Sequence, residues 1–188
     1  MSTIQDLLRS SALPHIESNM LMQHATGLSR IQLISRAYDA LSELQLSHFN
    51  QLVQRRLNGE PIAYILGTKE FYGRDFKVTP DVLIPRSDTE TLIEHVFSVY
   101  QHQRTQALSV LDLGTGSGAI AITLKLECPT WQVSAVDISP AALKVAQHNA
   151  TQHHARIDFD LSDWCTALTH KKFDLIVSNP PYIEANDI

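Results

Sequence analysis

The chain has 188 residues, 44% of them hydrophobic and 19% charged, with a formal net charge of −5. This balance provides enough apolar side chains for a folded core and excludes global disorder. The acidic net charge disfavours a protein held on nucleic acid mainly by phosphate contacts. Two cysteines, Cys128 and Cys165, stand far apart in the sequence, so we expect neither a disulfide framework nor a zinc site.

Targeting signals are not evident in the sequence. The first residues lack a basic stretch followed by an apolar one, the pattern of a secretory signal. No apolar run reaches the roughly 18–20 residues that span a membrane. Three of the histidines (His15, His24 and His48) have no carboxylate or thiol at ligand spacing, and we expect no metal site. The expectation is a soluble, cytoplasmic protein.

Residues 1–68 predict a small helical domain. Ser2 with Gln5, and Ser29 with Gln32, have the spacing of a capping box at a helix start. Steps of three and four residues then place four apolar side chains on one helical face: Ile31, Ile34, Tyr38 and Leu41. These patterns predict four or five short helices and contain no catalytic cluster.

The remaining sequence predicts an α/β domain. Residues 69–86 contain aromatic and β-branched residues around Gly73 and a Thr-Pro-Asp turn, a pattern typical of a β-hairpin. Ser87 is expected to cap the helix that follows. Strands at 110–113, 132–136, 156–160 and 173–178 then alternate with helices. Such alternation predicts a parallel sheet with helices on both faces.

A glycine-rich loop follows the first strand of this sheet. Residues 112–118 read DLGTGSG and lead directly into a helix. The glycines allow a tight turn and a close approach of backbone to a ligand. Asp137 ends the next strand about twenty residues later, a position suited to ribose hydroxyls. The order of these features predicts a nucleoside-bearing cofactor.

The sequence of the glycine loop does not by itself determine which cofactor binds. Its sequence, GTGSGA, also fits the glycine pattern of proteins that bind nicotinamide dinucleotides. The charge of Asp112 would oppose a pyrophosphate and would attract the cationic end of S-adenosylmethionine. The sequence therefore favours S-adenosylmethionine and leaves a nicotinamide cofactor open.

Residues 179–182, Asn-Pro-Pro-Tyr, follow the fourth strand of the sheet. Ligands of open α/β sheets bind beyond the carboxyl ends of the strands, and two prolines stiffen the loop. The side-chain oxygen of Asn179 and the carbonyl of Pro180 can each accept one N–H of a conjugated amino group. They would orient its nitrogen toward a methyl donor and stabilise the developing positive charge. Tyr182 can stack on a planar substrate.

With these residues in place, the chain resembles the protein N5-glutamine methyltransferases, specifically the release-factor glutamine methyltransferases. The resemblance runs over nearly the whole chain. It rests on residues 60–67 (EPIAYILG), 70–73 (EFYG), 84–90 (IPRSDTE), 112–118 and 179–182. Asn-Pro-Pro-Tyr by itself is shared with adenine-N6 DNA methyltransferases.

The resemblance implies S-adenosylmethionine as methyl donor and a glutamine side-chain amide of a peptide-chain release factor as acceptor. It implies a monomer that binds no nucleic acid directly, whose N-terminal helices help to recognise the release factor. The implied cofactor residues are Gly114, Thr115, Gly116, Ser117, Gly118, Asp137, Trp164 and Asn179. The implied catalytic residues are Asn179, Pro180, Pro181 and Tyr182.

The resemblance also implies a Rossmann-like class I methyltransferase sheet with strand order 3-2-1-4-5-7-6, of which this sequence supplies 3-2-1-4. We therefore expect a helical domain (1–68), a hairpin linker (69–86) and an incomplete methyltransferase domain (87–188) that is truncated at its C-terminus. Such a chain is expected to have little or no activity alone. Ser87 replaces the proline of the family's IPRPDTE loop.

Three alternatives stay open at this point. The acceptor could be a glutamine of a ribosomal protein, or an adenine N6 in DNA or RNA, or the chain could be an inactive binding module. An adenine methyltransferase is expected to have a basic substrate face. Among residues 1–70, six Lys and Arg are balanced by six Asp and Glu.

Overall fold

The computed structural model describes residues 3–180 of the chain. The chain divides into two compact units, Met1–Gly67 and Thr68–Ile188. Three residues singled out in the sequence, Ser2, Pro181 and Tyr182, lie outside the described range.

The N-terminal unit consists of short α-helices around one apolar core. Its helices are α1 (Ile4–Ser10), α2 (His15–Thr26), α3 (Arg30–Ser35), α4 (Glu43–Leu57) and α5 (Ile62–Leu66). The core is formed by eight buried side chains: Ile4, Leu21, Met22, Leu33, Phe49, Leu52, Val53 and Ile65. A bidentate ion pair, in which Arg56 Nε and Nη2 lie 2.8 and 3.0 Å from the Glu17 carboxylate, joins α4 to α2.

Two details of this unit differ from the sequence prediction. The capping box of α1 lies one residue later than expected, because Thr3 Oγ1 accepts from Asp6 N at 3.2 Å and Thr3 N donates to Asp6 Oδ2 at 3.1 Å. Helix α3 ends at Ser35, and its Ile31 and Ile34 side chains are 79% and 72% exposed. An apolar period identifies a helical face but not the partner that covers it. In α3 the buried side chain is Leu33, so the helix packs against the core with the face that carries Leu33.

The second unit begins with a β-hairpin and continues as an α/β sheet. Its elements are β1 (Thr68–Phe71), β2 (Arg74–Lys77), α6 (Asp88–Val99), β3 (Ser109–Leu113), α7 (Ala119–Glu127), β4 (Gln132–Asp137), α8 (Pro140–Gln152), β5 (Asp158–Leu161), a 3₁₀ turn (Thr166–Leu168) and β6 (Leu175–Ser178). Strands β1 and β2 pair antiparallel. The larger sheet has the order β5-β4-β3-β6, with every pair parallel. This confirms the predicted order 3-2-1-4.

The two faces of the larger sheet are covered differently. Successive residues of a strand point to opposite faces, and Val110 joins a large core with α6, α7 and α8 whereas Leu111 joins a second cluster. That second cluster holds Leu168 and Phe173 and no residue of the three α-helices. The prediction of helices on both faces is therefore wrong for residues 3–180. The segment between β5 and β6 contains only a 3₁₀ turn instead of a crossover helix.

Ser87 also behaves differently from the prediction. It precedes α6, but its φ and ψ of −57° and −33° are already helical and its side chain makes no capping hydrogen bond. An N-cap side chain folds back onto the helix from an extended backbone conformation. The start of α6 is therefore not capped by the Ser87 hydroxyl.

Candidate active site

The site is built at the carboxyl ends of three adjacent strands. In the sheet register, Leu113 of β3 pairs with Val136 of β4 on one side and with Ser178 of β6 on the other. Because all three strands run in parallel, the loops that follow them leave the sheet at the same edge. The glycine loop, Asp137 and Asn179 are brought together in this way from three separate stretches of sequence.

The glycine loop is tied to the end of β4. The backbone amides of Gly114 and Thr115 both donate to Val136 O, at 2.9 and 3.0 Å. Gly118 has a φ of +81°, and a Cβ there would lie 3.0 Å from Ile122 Cδ1 and 3.2 Å from Ala146 Cβ. A glycine is required at this position because helices α7 and α8 approach closely.

Gly114 and Gly116 have a different reason to be glycine. Their φ values are +70° and +54°, in the left-handed region, but a Cβ at either would meet no atom within 4 Å. The backbone conformation favours glycine at both positions. The space beside them is open, so the loop presents bare backbone to the cleft.

Asp137 is engaged by backbone on both sides of its carboxylate. Gly116 N donates to Oδ2 and Ser139 N donates to Oδ1, each at 2.9 Å. A carboxylate oxygen has two lone pairs, so each oxygen retains the capacity to accept one further hydrogen bond. Asp137 therefore orders the glycine loop and can still bind hydroxyl groups.

Asp112 lies beneath the loop and is completely buried. Its Oδ2 accepts from Thr115 Oγ1 at 2.7 Å and from Ala121 N at 3.3 Å, while Oδ1 has no hydrogen-bond partner among the described residues. Burial raises the pKa of Asp112 to about 6, with an increment from the charge of Asp137, although the two hydrogen bonds act to lower it. The side chain is thus a buried acid whose pKa lies well above that of an ordinary aspartate.

Asn179 lines the same cleft as the glycine loop. Its Nδ2 donates to Thr89 Oγ1 at 2.7 Å, and Ser178 Oγ anchors the preceding residue by donating to Leu113 O at 2.8 Å. The cavity volume of this cleft is about 50 Å³. Its walls are formed by Leu83, Ile84, Pro85, Arg86, Thr89, Gly114, Thr115, Gly116, Ser117, Ala119, Ile120 and Asn179.

Trp164 lies in the loop after β5 and is 62% exposed. Its φ of +50° is unusual for a residue with a bulky side chain. Ser162 stabilises this conformation, since its Oγ donates to Trp164 O at 2.8 Å and accepts from Ala167 N at 3.1 Å. An exposed, locally strained aromatic side chain is available to a ligand. Trp164 is not part of the cleft wall that holds Asn179.

The predicted site residues are thus partly brought together. Gly114, Thr115, Gly116, Ser117 and Asn179 share one cleft. Gly118 packs where α7 meets α8, and Asp137 accepts a hydrogen bond from the loop. Pro180 is exposed next to Asn179. Pro181 and Tyr182 lie outside the described residues.

Sequence reasoning assigned no role to several residues that contribute to the site. In the sequence, residues 84–90 indicate a family resemblance and a helix cap at Ser87, and they carry no local sign that Ile84, Pro85, Arg86 and Thr89 line the cleft. Asn149 of α8 is buried outside the cleft wall, and its Nδ2 donates to Ser117 O at 2.8 Å. The family resemblance of the IPRSDTE stretch was the usable signal for the first group, whereas Asn149 has no local signal.

Within residues 3–180, no group of three or more His, Cys, Asp or Glu side chains is placed to hold a metal ion. No helix in the same range is long and apolar enough to cross a membrane.

Two family models match the chain. A methyltransferase small domain matches residues 88–188, and the PrmC N-terminal domain matches residues 2–67. Among solved structures, the 16S rRNA N2 G1207 methyltransferase of T. thermophilus matches 63% of this chain and 33% of its own, with a TM-score of 0.50 and 24% identity. The second unit thus has a methyltransferase fold.

Curated relatives identify the family of methyltransferases to which the chain belongs. The release factor glutamine methyltransferase of Bordetella pertussis is 47% identical over 100% of this chain and 69% of its own length. That of Neisseria gonorrhoeae is 46% identical over 98% and 67%. The chain therefore spans about two thirds of the length of these relatives, and it belongs to the release factor glutamine methyltransferase family.

Proposed function

We propose that this chain binds S-adenosylmethionine beside the glycine loop and presents a release-factor glutamine to its methyl group. The observation that carries the proposal is the shared cleft of Gly116 and Asn179. One residue belongs to a loop suited to a nucleoside cofactor and the other to a loop suited to an amide acceptor. Family membership supports the same pairing.

The cofactor residues proposed are Gly114, Thr115, Gly116, Ser117, Gly118, Asp137, Trp164 and Asn179. The fit rests on bare backbone at Gly114 and Gly116, where a Cβ would meet open space, and on the unused lone pairs of the Asp137 carboxylate. Asp137 would accept from ribose hydroxyls, and Trp164 would flank the adenine. S-adenosylmethionine supplies a methyl group on a positively charged sulfur.

The acceptor residues proposed are Asn179 and Pro180, with Pro181 and Tyr182 completing the pocket. Asn179 Oδ1 and Pro180 O would each accept one N–H of the glutamine carboxamide. These two hydrogen bonds orient the nitrogen toward the methyl group and stabilise positive charge as it develops there. The nitrogen gains the methyl group and then loses a proton, which has become acidic, so no strong base is required.

We propose that the two units divide the task. The helices of residues 1–68 would recognise the release factor, with the exposed Ile31 and Ile34 of α3 as contacts, and the hairpin of residues 69–86 would link them to the methyltransferase domain of residues 87–188. The chain would act as a cytoplasmic monomer in translation termination, on protein and without direct contact to nucleic acid.

Equilibrium binding tests this proposal without relying on turnover. S-adenosylmethionine should bind the chain, and a release factor should bind the loaded chain through its glutamine. A release factor with that glutamine changed to glutamate is the matched control and should bind at least tenfold more weakly, since Asn179 Oδ1 and Pro180 O can only accept hydrogen bonds and a carboxylate has none to donate. Failure to bind S-adenosylmethionine, or preference for an adenine-containing DNA duplex, would refute the proposal.

A further inference from the structure

A hydrogen bond from a residue outside the glycine loop holds the side chain of Asn179, the proposed acceptor of the substrate N–H. Thr89 lies in the first turn of α6 and is 8% exposed. Its Oγ1 accepts from Asn179 Nδ2 at 2.7 Å, across 90 residues of sequence. The two side chains come from different elements and meet at the wall of the cleft.

The two ends of an asparagine amide have nearly the same shape and opposite hydrogen-bonding character. A threonine hydroxyl can pair with either end of the amide, and in this structure it accepts from the nitrogen. With Nδ2 held by Thr89, Oδ1 is the free end, and it accepts no hydrogen bond from residues 3–180. The orientation leaves an acceptor available for the N–H of an incoming carboxamide.

We infer that Thr89 is a positioning residue, which holds the Asn179 side chain with its oxygen available to the glutamine amide. The inference deepens the proposed function and rests on it. Thr89 does not touch the substrate and acts through Asn179. Without its hydroxyl, the amide could rotate and present N–H to N–H, an arrangement that repels the acceptor glutamine.

Both partners of this hydrogen bond sit on ordered elements. Thr89 is β-branched, which restricts its χ1 angle, and its backbone N donates to Arg86 O at 3.0 Å. Helix α6 is fixed to the core by the buried side chains of Ile93 and Phe97. On the other side, Ser178 anchors the start of the Asn179 loop to β3. The acceptor oxygen is thus preorganised, which lowers the cost of orienting it during the reaction.

A matched pair of variants tests the inference. Thr89→Val keeps the shape and removes the hydroxyl, whereas Thr89→Ser keeps the hydroxyl. We expect Val to weaken binding of a glutamine-containing release-factor peptide about tenfold in the presence of S-adenosylhomocysteine, and Ser to stay within about threefold of the unchanged chain. Affinity for S-adenosylmethionine should fall less than affinity for the peptide in the Val variant. The inference would be overturned if Thr89→Val bound the peptide as tightly as the unchanged chain, or if Thr89→Val and Thr89→Ser lost the same peptide affinity.

A second measurement separates this inference from the proposed function. The side-chain amide of Asn179, observed by nuclear magnetic resonance, should shift in Thr89→Val and stay in place in Thr89→Ser. If the unchanged chain binds no glutamine peptide, the proposed function fails, and an amide signal insensitive to Thr89→Val would refute the positioning role independently. Thr89→Ala replaces the Val variant if Val lowers the melting midpoint.

Discussion

The backbone N–H of Gly116 donates a 2.9 Å hydrogen bond to Oδ2 of Asp137. This contact joins the loop after β3 to the end of β4, and Ser139 N occupies the other oxygen of the same carboxylate. The acid that sequence reasoning assigned to ribose is therefore also a structural support of the glycine loop. Substitutions of Asp137 should therefore lower the stability of the fold slightly and the affinity for the cofactor strongly.

The first prediction concerns Asp137→Asn. The new amide must place its NH₂ against either Gly116 N–H or Ser139 N–H, so one of these two hydrogen bonds is lost and the ribose loses an acceptor. We expect the affinity for S-adenosylmethionine to fall at least tenfold and the free energy of unfolding to fall by about 1–2 kcal/mol. Calorimetric titration measures the affinity, and urea unfolding measures the free energy of unfolding. Asp158→Asn, at an exposed position on β5, is the control and should change neither.

The second prediction contrasts two glycines of the loop. Gly118→Ala combines a left-handed backbone with a Cβ 3.0 Å from Ile122 Cδ1, and should lower the free energy of unfolding by about 2–4 kcal/mol. Gly116→Ala meets no atom within 4 Å and should cost only the backbone strain, about 1–2 kcal/mol. Urea unfolding of both variants tests this order. A Gly116 variant that is the less stable of the two would contradict the described packing of α7 on α8.

The third prediction concerns Asn149, which joins three segments. Its Oδ1 accepts from Lys77 N at 2.8 Å, and its Nδ2 donates to Lys77 O at 3.0 Å and to Ser117 O at 2.8 Å. Asn149→Ala leaves three backbone groups without this partner and should cost about 2–4 kcal/mol in thermal or urea unfolding. Gln147→Ala, at an exposed position of the same helix, should cost less than about 0.5 kcal/mol. Equal losses for the two variants would contradict the role of Asn149.

The fourth prediction concerns the pH dependence of stability at Asp112. Its pKa is raised from 3.8 to about 6 in the folded chain, so the folded state holds the proton more tightly than the unfolded state. The contribution of Asp112 to stability is therefore greatest below about pH 4 and is lost as the pH rises to about 6, by roughly 3 kcal/mol at most.

Asp112→Asn removes this titration and keeps an oxygen for Thr115 and Ala121. The stability of the unchanged chain relative to the variant should fall between pH 4 and pH 6 and stay constant above pH 7. Urea unfolding at several pH values measures this difference, in which the other titrating groups cancel. A difference that is constant with pH would show that Asp112 is not desolvated in the folded chain.

The sheet and the glycine loop could be predicted because their signals are local. Strand β3 ends at Leu113 directly before Gly114, and apolar runs broken by glycine or by a terminal acid identify strands and their ends. The parallel order β5-β4-β3-β6 then follows from the alternation with helices and the family resemblance. These features do not depend on which side chains meet later in space.

The helix starts were harder to predict from the same kind of pattern. Ser29 caps α3 as expected, but Thr3 caps α1 in place of Ser2, and Ser87 makes no cap. Neighbouring Ser, Thr and Asp residues offer competing registers for a capping box. Only the backbone conformation at each residue decides which hydroxyl can fold back.

The pairs that complete the site could not be predicted at all. Thr89 and Asn179 are 90 residues apart, and Asn149 lies 72 residues from Lys77. Neither residue of a pair carries a local pattern that names the other, since the contact exists only once the sheet has formed. Such pairs can be found only in the structure.

The most direct measurement is a crystal structure of the chain with S-adenosylhomocysteine and a glutamine-containing release-factor peptide. We expect the nucleoside beside residues 114–118 and Asp137, with the glutamine NH₂ donating to Asn179 Oδ1 and Pro180 O. We also expect Asn179 Nδ2 still to donate to Thr89 Oγ1. A peptide bound away from this cleft, or an Asn179 side chain turned out of it in the complex, would contradict the proposed function.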